Sequence, residues 1–401
     1  MGVEGGEPVQ RVSPAGPVPL PTDDLTAFAE DEREARLDAV LREEARRPFD
    51  LERGPLFRAR LARVADGEHV LMLTMHHAVT DGWSLEVLFR DLAALYSALA
   101  DGRPSPPDRP ALRYADFSRA QRQHITGQVL ASRLEYWVPR LRDAPVLDLP
   151  ADRPRPARQS HRGGVHRFAI PAGAASRVAA LGRAEGATPF MAMLAAFKVF
   201  LARHAGEWDV VVGSPIAGRP GRETEGVVGF FANTLALRTD LGGDPSFREA
   251  LRRVRASTLG AYAHGDLPFE ALVEALGVER DPSRNPVFQV MFAVRDALPE
   301  LEAGGVRMAM REGETGTAKF DLFLELTEGP DGTEASFEYA SDLFDAATVE
   351  RMAERFGVLL EGIAADPARP ASGLPLLPPA ERRLVVDRWN ATDAPWPRGS
   401  R

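Results

Sequence analysis

Cysteine is absent from the 401 residues. That excludes disulfides, a thiol nucleophile and thiolate-ligated metals, and it suits a reducing compartment. Long apolar runs are also missing. None approaches the ~18 residues that a membrane span needs, so no membrane partner is expected. The N-terminus, MGVEGGEPVQRV, lacks a basic stretch followed by an apolar core and does not read as a secretory signal. The expected location is the cytoplasm. Basic charge is in deficit, with 49 Lys and Arg against 58 Asp and Glu and a net charge of −9, which disfavours a nucleic-acid partner. Histidine is scarce too, at eight residues, yet two of them stand side by side in MHHAVTDGWS, Met75 to Ser84.

What is present is enough chain for two lobes of about 150–220 residues. Residues 1–24 are rich in Gly, Pro and Val and read as extended or irregular. A charged helix with periodic Ala and Leu follows from Asp31 to Arg47, stopped by Pro48. LFRARLARV and VLMLTMHH flank an Asp66-Gly67 turn, a hairpin signal that puts the paired histidines at the end of the second strand. Beyond them Ser84 reads as an N-cap, with Glu86 in the first turn. Leu85, Leu88, Leu92, Leu95 and Leu99 then fall at helical spacing and predict one buried face. RPSPPDRP is a loop by composition, and helices are expected over 114–128 and 131–142.

LDLPADRPRPARQSHRGG has the composition of a crossover between lobes. The second half alternates strands and helices. Thr188-Pro189 is a cap followed by proline at the first helical position. WDVVVGSPIAG is a buried strand leaving into a Gly-rich loop, and FDLFLELT and EASFEYA flank a Gly-Pro-Asp-Gly turn. The Pro-rich tail from Asp366 reads as a linker. The boundaries drawn are 1–155, 156–370 and 371–401.

Side chains alternate along a strand, so His76 and His77 are expected to point to opposite faces, one working and one scaffold. Asp81 could bond the backbone, hold an imidazole or pair with an arginine. Gly82 leaves room for close approach, and a helix N-terminus near Trp83 and Ser84 offers unpaired N–H groups. These are parts of an acyl-transfer site: a base, oxyanion donors and space. A satisfied strand-end histidine is the plain alternative. Zinc is disfavoured because adjacent histidines diverge and no HExxH is present, and a serine triad with Ser84 or Ser214 lacks its GxSxG elbow.

HHAVTDGWS resembles the HHxxxDG signature of nonribosomal peptide synthetase condensation domains. Further motifs follow in the family's order: YADFSRAQRQ (114–123), VVGSPIAGR (211–219), VGFFANTLALRTD (228–240), HGDLPFEALVEAL (264–276) and RDPSRNPVFQVMF (280–292). The tail PLLPPAERRLVVDRWNAT resembles the linker into a following adenylation domain. The resemblance implies an α/β fold of two chloramphenicol-acetyltransferase-like lobes in a V shape around a central substrate tunnel. It implies amide formation between a donor aminoacyl or peptidyl thioester and the amine of an acceptor aminoacyl thioester. Both are delivered on phosphopantetheine arms by donor and acceptor peptidyl carrier proteins, and no cofactor or metal is bound by the domain itself. The DGWS wording favours the L-donor, L-acceptor type.

Carried over by position, His77 is the catalytic imidazole, as base or as amine positioner. Gly82 gives access and an oxyanion N–H. Asp81 pairs with Arg219, while Trp83 and Ser84 are framework and His76 is buried and structural. Asn233 lines the tunnel or forms a turn. His264 and Asp266 read as caps of the PFEALVEAL helix, Arg284 and Asn285 as loop-closing, and Phe190, Phe197, Phe230 and Phe231 as core or tunnel wall.

The family's opening SxAQxRL/MW-like and RHExLRTxF-like motifs are not found, so the N-lobe is expected to be incomplete, and activity of the chain as written is left in question. Competing readings are an epimerisation domain, a heterocyclisation domain (against which His76 argues), a freestanding acyltransferase and a catalytically silent carrier-docking module.

Overall fold

A computed structural model describes residues 1–14, 16–104, 112–298, 300–311, 313–329 and 332–392. Most of the RPSPPDRP loop, the centre of the Gly-Pro-Asp-Gly turn and the end of the tail lie outside the described residues. Two compact units emerge. The first comprises Met1–Gly127, Ile216–Asn233 and Leu298–Gly316. The second comprises Gln128–Pro215, Thr234–Ala297 and the chain from Thr317 on. The first boundary therefore falls near residue 127, not 155, and two later segments return to the first unit. The Pro- and Arg-rich stretch that suggested a crossover is fastened to the second unit. Leu147 and Leu149 are buried there, the Leu147 N–H donates to Gln289 Oε1 at 3.2 Å, and Arg155 pairs with Asp321.

In the first unit the hairpin forms as its alternation requires. Phe57–Ala65 and Glu68–Met75 are antiparallel, with Leu61 opposite Leu71, and the turn uses Gly67 at a φ of 76°. Thr22–Asp24 adds a short parallel strand beside Phe57–Ala65. Ala62 and Met72 point to one face and, with Leu25, form a small core that Phe28, Leu37 and Val40 cover. Leu71 and Leu73, out of phase with Met72, are 40% and 38% exposed. The N-terminal stretch, read as extended or irregular, contains a small hairpin, Gly2–Glu4 with Glu7–Val9.

The helix after the histidines spans Gly82–Ala100, and its N-cap is Asp81, not Ser84. Its fully buried positions are Ser84, Val87, Ala93 and Ala98. The leucine stripe is only partly covered, and Leu95 and Leu99 are exposed. The following helices are Tyr114–His124 and Gly127–Leu141.

The second unit is built on a six-stranded mixed sheet in the spatial order Gly163–Ala169, Gly332–Ala340, Leu322–Gly329, Val290–Asp296, Asp209–Ile216, Asn233–Asp240. The α/β fold class is the one expected. Its central helix, Pro189–Ala205, opens with Thr188 accepting from the Met191 N–H at 3.2 Å and is buried at every position from Met191 to Ala202. A helix apolar all round belongs in a core, and Ala172–Ala184, Phe247–Tyr262 and Ala346–Ala365 pack on it. Among the described residues no single helix is long and apolar enough to cross a membrane.

Two other readings change. Residues 366–383 are docked, not a free linker: Ala371 and Leu374 are buried, Arg203 donates to both their carbonyls at 2.8 and 2.9 Å, and Glu381 pairs with Arg355. His264 and Asp266 do not cap the Phe269–Leu276 helix, whose N-cap is Pro268. Instead His264 stacks on Tyr136 with centroids 3.9 Å apart, and Asp266 forms a two-pronged pair with Arg133 at 2.7 and 3.0 Å. Asn285 does close its loop, donating to the Lys319 carbonyl at 2.6 Å.

Lys198 sits inside the buried helix with no exposed surface. Its ammonium donates to the Val210 and Leu237 carbonyls at 3.3 and 2.5 Å and to Thr239 Oγ1 at 2.8 Å. It thereby ties the Asp209–Ile216 strand to the Asn233–Asp240 strand. Three acceptors make a buried cation tolerable, yet desolvation still pushes its pKa down from 10.5 to about 7, opposed by the Asp209 charge. Because the folded-state value lies below the unfolded one, the unfolded chain binds more protons between them, and stability rises with pH across that window. The urea midpoint is expected to increase from pH 7 to pH 9.5 in the wild type and to lose most of that increase in Lys198→Met. An equal rise in both would refute the assignment.

Candidate active site

The strand Glu68–Met75 ends before the histidines, so neither alternates on it. His76 caps a short 3₁₀ turn, His77–Val79: its Nδ1 accepts from the Ala78 N–H at 3.1 Å, and its ring stands edge-on to Phe49. It is half-buried, not buried as expected. His77 is exposed, and its Nδ1 lies 2.7 Å from the Thr80 carbonyl. A carbonyl only accepts, so Nδ1 of the neutral ring carries the proton and Nε2 keeps its lone pair. The two neighbours therefore hold opposite tautomers. The His77 ring also stands edge-to-face against Phe230, with centroids 5.0 Å apart.

Four residues on, Asp81 turns the chain into the long helix. Its Oδ1 accepts the Ser84 N–H at 2.8 Å, the arrangement of an N-cap carboxylate. Oδ2 accepts the Phe231 N–H at 2.9 Å. Arg219 Nη2 meets Oδ1 at 3.1 Å, and both side chains are almost wholly buried. Ser84 fills the remaining space. Its one hydroxyl proton faces Asp81 Oδ1 at 2.7 Å and the Gly229 carbonyl at 2.9 Å, and its oxygen accepts from the Gly229 N–H and Arg219 Nη2, each at 3.1 Å.

The guanidinium of Arg219 is spent on its own loop as well. Nη1 donates to the Thr224 and Val227 carbonyls, the latter at 2.8 Å, and the plane lies over Phe231, 4.1 Å from its centroid. Among the described residues its buried Nε has no hydrogen-bond partner. Trp83 donates to the Glu225 carbonyl at 2.9 Å, pinning the same loop. Gly82, the first helical residue, is exposed, and among the described residues a Cβ there would meet nothing within 4 Å; glycine leaves open space at the helix N-terminus. Asn233 begins the Asn233–Asp240 strand, half-buried.

Sequence reasoning did not single out Thr80, whose carbonyl fixes the His77 tautomer. Nor did it find Gly218, with a φ of 63° and a Cβ position 1.9 Å from the Phe231 carbonyl oxygen, where no side chain fits. Gly229 is similar, its Cβ position being 2.3 Å from the Tyr114 ring. Tyr114 donates to the Phe230 carbonyl at 2.7 Å; burial and the Asp81 charge raise its pKa, so the phenol stays protonated. Both glycines and Tyr114 lie in quoted motifs, and the signal was a glycine beside a conformational demand that only three dimensions display. Among the core aromatics, Phe197 and Phe231 are buried but Phe230 is 38% exposed. No group of three or more His, Asp or Glu side chains able to hold a metal occurs among the described residues.

A family model for the condensation domain matches residues 2–386. The chain belongs to the condensation-domain family of nonribosomal peptide synthetases. It is similar to a linear gramicidin synthase of Brevibacillus parabrevis, 46% identical over 97% of this chain and 5% of that protein. It is also similar to phosphinothricin tripeptide synthetase PhsC of Streptomyces viridochromogenes, 40% identical over 96% of this chain and 36% of that protein. This condensation domain thus spans only a small part of those synthetases. Among solved structures it resembles the X-domain from teicoplanin biosynthesis (TM-score 0.82, 32% identity, 92% of this chain and 83% of that one). It also resembles the first condensation domain of the calcium-dependent antibiotic synthetase in complex with a substrate analogue (TM-score 0.76, 26% identity, 91% and 79%). The chloramphenicol-acetyltransferase-like fold class stands on these likenesses.

Asp81 and Arg219 form a desolvated pair, so removing one charge strands the other. Arg219→Met is expected to lose about 3–5 kcal/mol in urea unfolding, and Asp81→Asn/Arg219→Met to regain part of it. A double variant that loses the sum of the single losses would contradict the pairing.

Proposed function

We propose that this condensation domain forms an amide bond between a donor aminoacyl or peptidyl thioester and the amine of an acceptor aminoacyl thioester. Each substrate is carried on the phosphopantetheine arm of a partner peptidyl carrier protein, in a cytoplasmic synthetase whose next domain is an adenylation domain. The observation that carries the reading is His77: an exposed imidazole whose Nδ1–H is committed to the Thr80 carbonyl, so that Nε2 is offered outward as an acceptor. Nε2 hydrogen-bonds the acceptor amine and takes its proton as the nitrogen attacks the thioester carbonyl. The C–S bond then breaks, and the leaving thiolate takes a proton back. The helix N-terminus at Gly82 and Trp83 supplies N–H groups for the oxyanion, and the space left by Gly82 admits the thioester. Asp81, Arg219, Ser84 and Trp83 hold this frame, His76 shapes the turn, and Asn233 lines the substrate path. Donor and acceptor are both taken as L-configured.

A second reading is a docking module without chemistry. The likeness to an X-domain favours it, because another structure of that domain is of its complex with OxyB.

A single-turnover assay separates the two. Two carrier proteins loaded with aminoacyl groups are mixed with the domain, and dipeptidyl thioester is followed by intact-protein mass spectrometry. Product from the wild type, reduced at least ~10²-fold in His77→Ala, is expected. Carrier binding without product from the folded wild type would favour the docking module.

A further inference from the structure

Phe230 lies between two residues whose backbones are tied to the start of the Gly82–Ala100 helix. On one side the Gly229 N–H donates to Ser84 Oγ at 3.1 Å; on the other the Phe231 N–H donates to Asp81 Oδ2 at 2.9 Å. Its own carbonyl accepts the Tyr114 hydroxyl at 2.7 Å. The Tyr114 ring also closes the space beside Gly229 and stands edge-on to Phe231, centroids 5.1 Å apart. The backbone at Phe230 is therefore fixed from both sides, while its side chain is 38% exposed and is not held by burial. That ring rests against the His77 imidazole at 5.0 Å and an interplanar angle of 71°, within the range of favourable edge-to-face pairs.

The Thr80 hydrogen bond sets which nitrogen of His77 is protonated, but one hydrogen bond leaves a ring free to rock about it. The Phe230 ring is the aromatic neighbour that stands against the imidazole beside that bond. We infer that Phe230 is a positioning residue that fixes the direction of His77 Nε2, and that the Tyr114 hydroxyl holds Phe230 in place for that purpose. The inference rests on the reading of His77 as the working imidazole. Tyr114 acts through Phe230, and Phe230 through His77, so the effect belongs in the chemical step and not in carrier recognition.

The test is steady-state condensation with both loaded carriers varied, on Phe230→Leu, Phe230→Tyr, Tyr114→Phe and the double variant Tyr114→Phe/Phe230→Leu, each first checked for wild-type thermal unfolding. Phe230→Leu is expected to lower kcat about tenfold with KM for both carriers unchanged, since small misplacements of a reacting group carry costs of this order or more. Phe230→Tyr, which keeps the ring, should retain most of kcat. Tyr114→Phe should lower kcat by a smaller factor, and the double variant should be no slower than Phe230→Leu alone. Wild-type kcat in Phe230→Leu, a loss confined to KM, or independent losses that multiply in the double variant would overturn the inference. His77→Ala run alongside keeps the two readings apart. If it retains activity, the role of His77 fails; if it is inactive while Phe230→Leu keeps wild-type kcat, the positioning role fails.

Discussion

One buried carboxylate organises the first unit. Asp81 accepts the Ser84 N–H, the Phe231 N–H and a guanidinium proton from Arg219, and it faces the Ser84 hydroxyl. A carboxylate so deep in protein needs this many donors, because each lone pair withdrawn from water must be satisfied by protein. Those donors come from three places in the sequence: the helix that Asp81 caps, the loop that carries Arg219, and the GFF segment just before Asn233. Satisfying one charge therefore fixes the start of the helix and the shape of a distant loop in a single step. The exposed His77 stands one turn before that anchor, with its Nδ1 on the carbonyl of the residue next to Asp81.

The loop is built to reach that anchor. Gly218 and Gly229 stand where a Cβ would strike the Phe231 carbonyl oxygen or the Tyr114 ring. Arg219 spends its remaining donors on Thr224 and Val227, so the loop is folded around the same guanidinium that neutralises Asp81. In the second unit a different buried cation does comparable work. The Lys198 ammonium joins the strands Asp209–Ile216 and Asn233–Asp240 through a carbonyl from each. In both units a charge withdrawn from water is satisfied by backbone that is far away in sequence.

Much of this was legible in the sequence. The Asp66-Gly67 hairpin, the Thr188-Pro189 helix start and the α/β class follow from turn chemistry and apolar period, which act locally. The family followed from motifs in order. What escaped was decided by three-dimensional competition. Asp81 and Ser84 are both capping residues three positions apart, and only the extended backbone at Asp81 says which of them caps. Adjacent histidines on a strand must diverge, but the strand ends at Met75, before either of them, so that rule does not apply. The Pro-rich tail reads as a linker by composition, yet Ala371 and Leu374 find a buried place and Arg203 binds their carbonyls. The roles of Thr80 and the Phe230 carbonyl are backbone roles, and side-chain identity carries no trace of them.

The central claim is that this frame presents His77 with its proton on Nδ1 and its lone pair on Nε2. It is tested most directly by ¹⁵N NMR of the histidine-labelled protein, with the His77 ring assigned by its loss in His77→Ala. Where the ring is neutral, the account predicts a protonated, pyrrole-like Nδ1 and an unprotonated, pyridine-like Nε2. The opposite pattern, with the proton on Nε2, would contradict it.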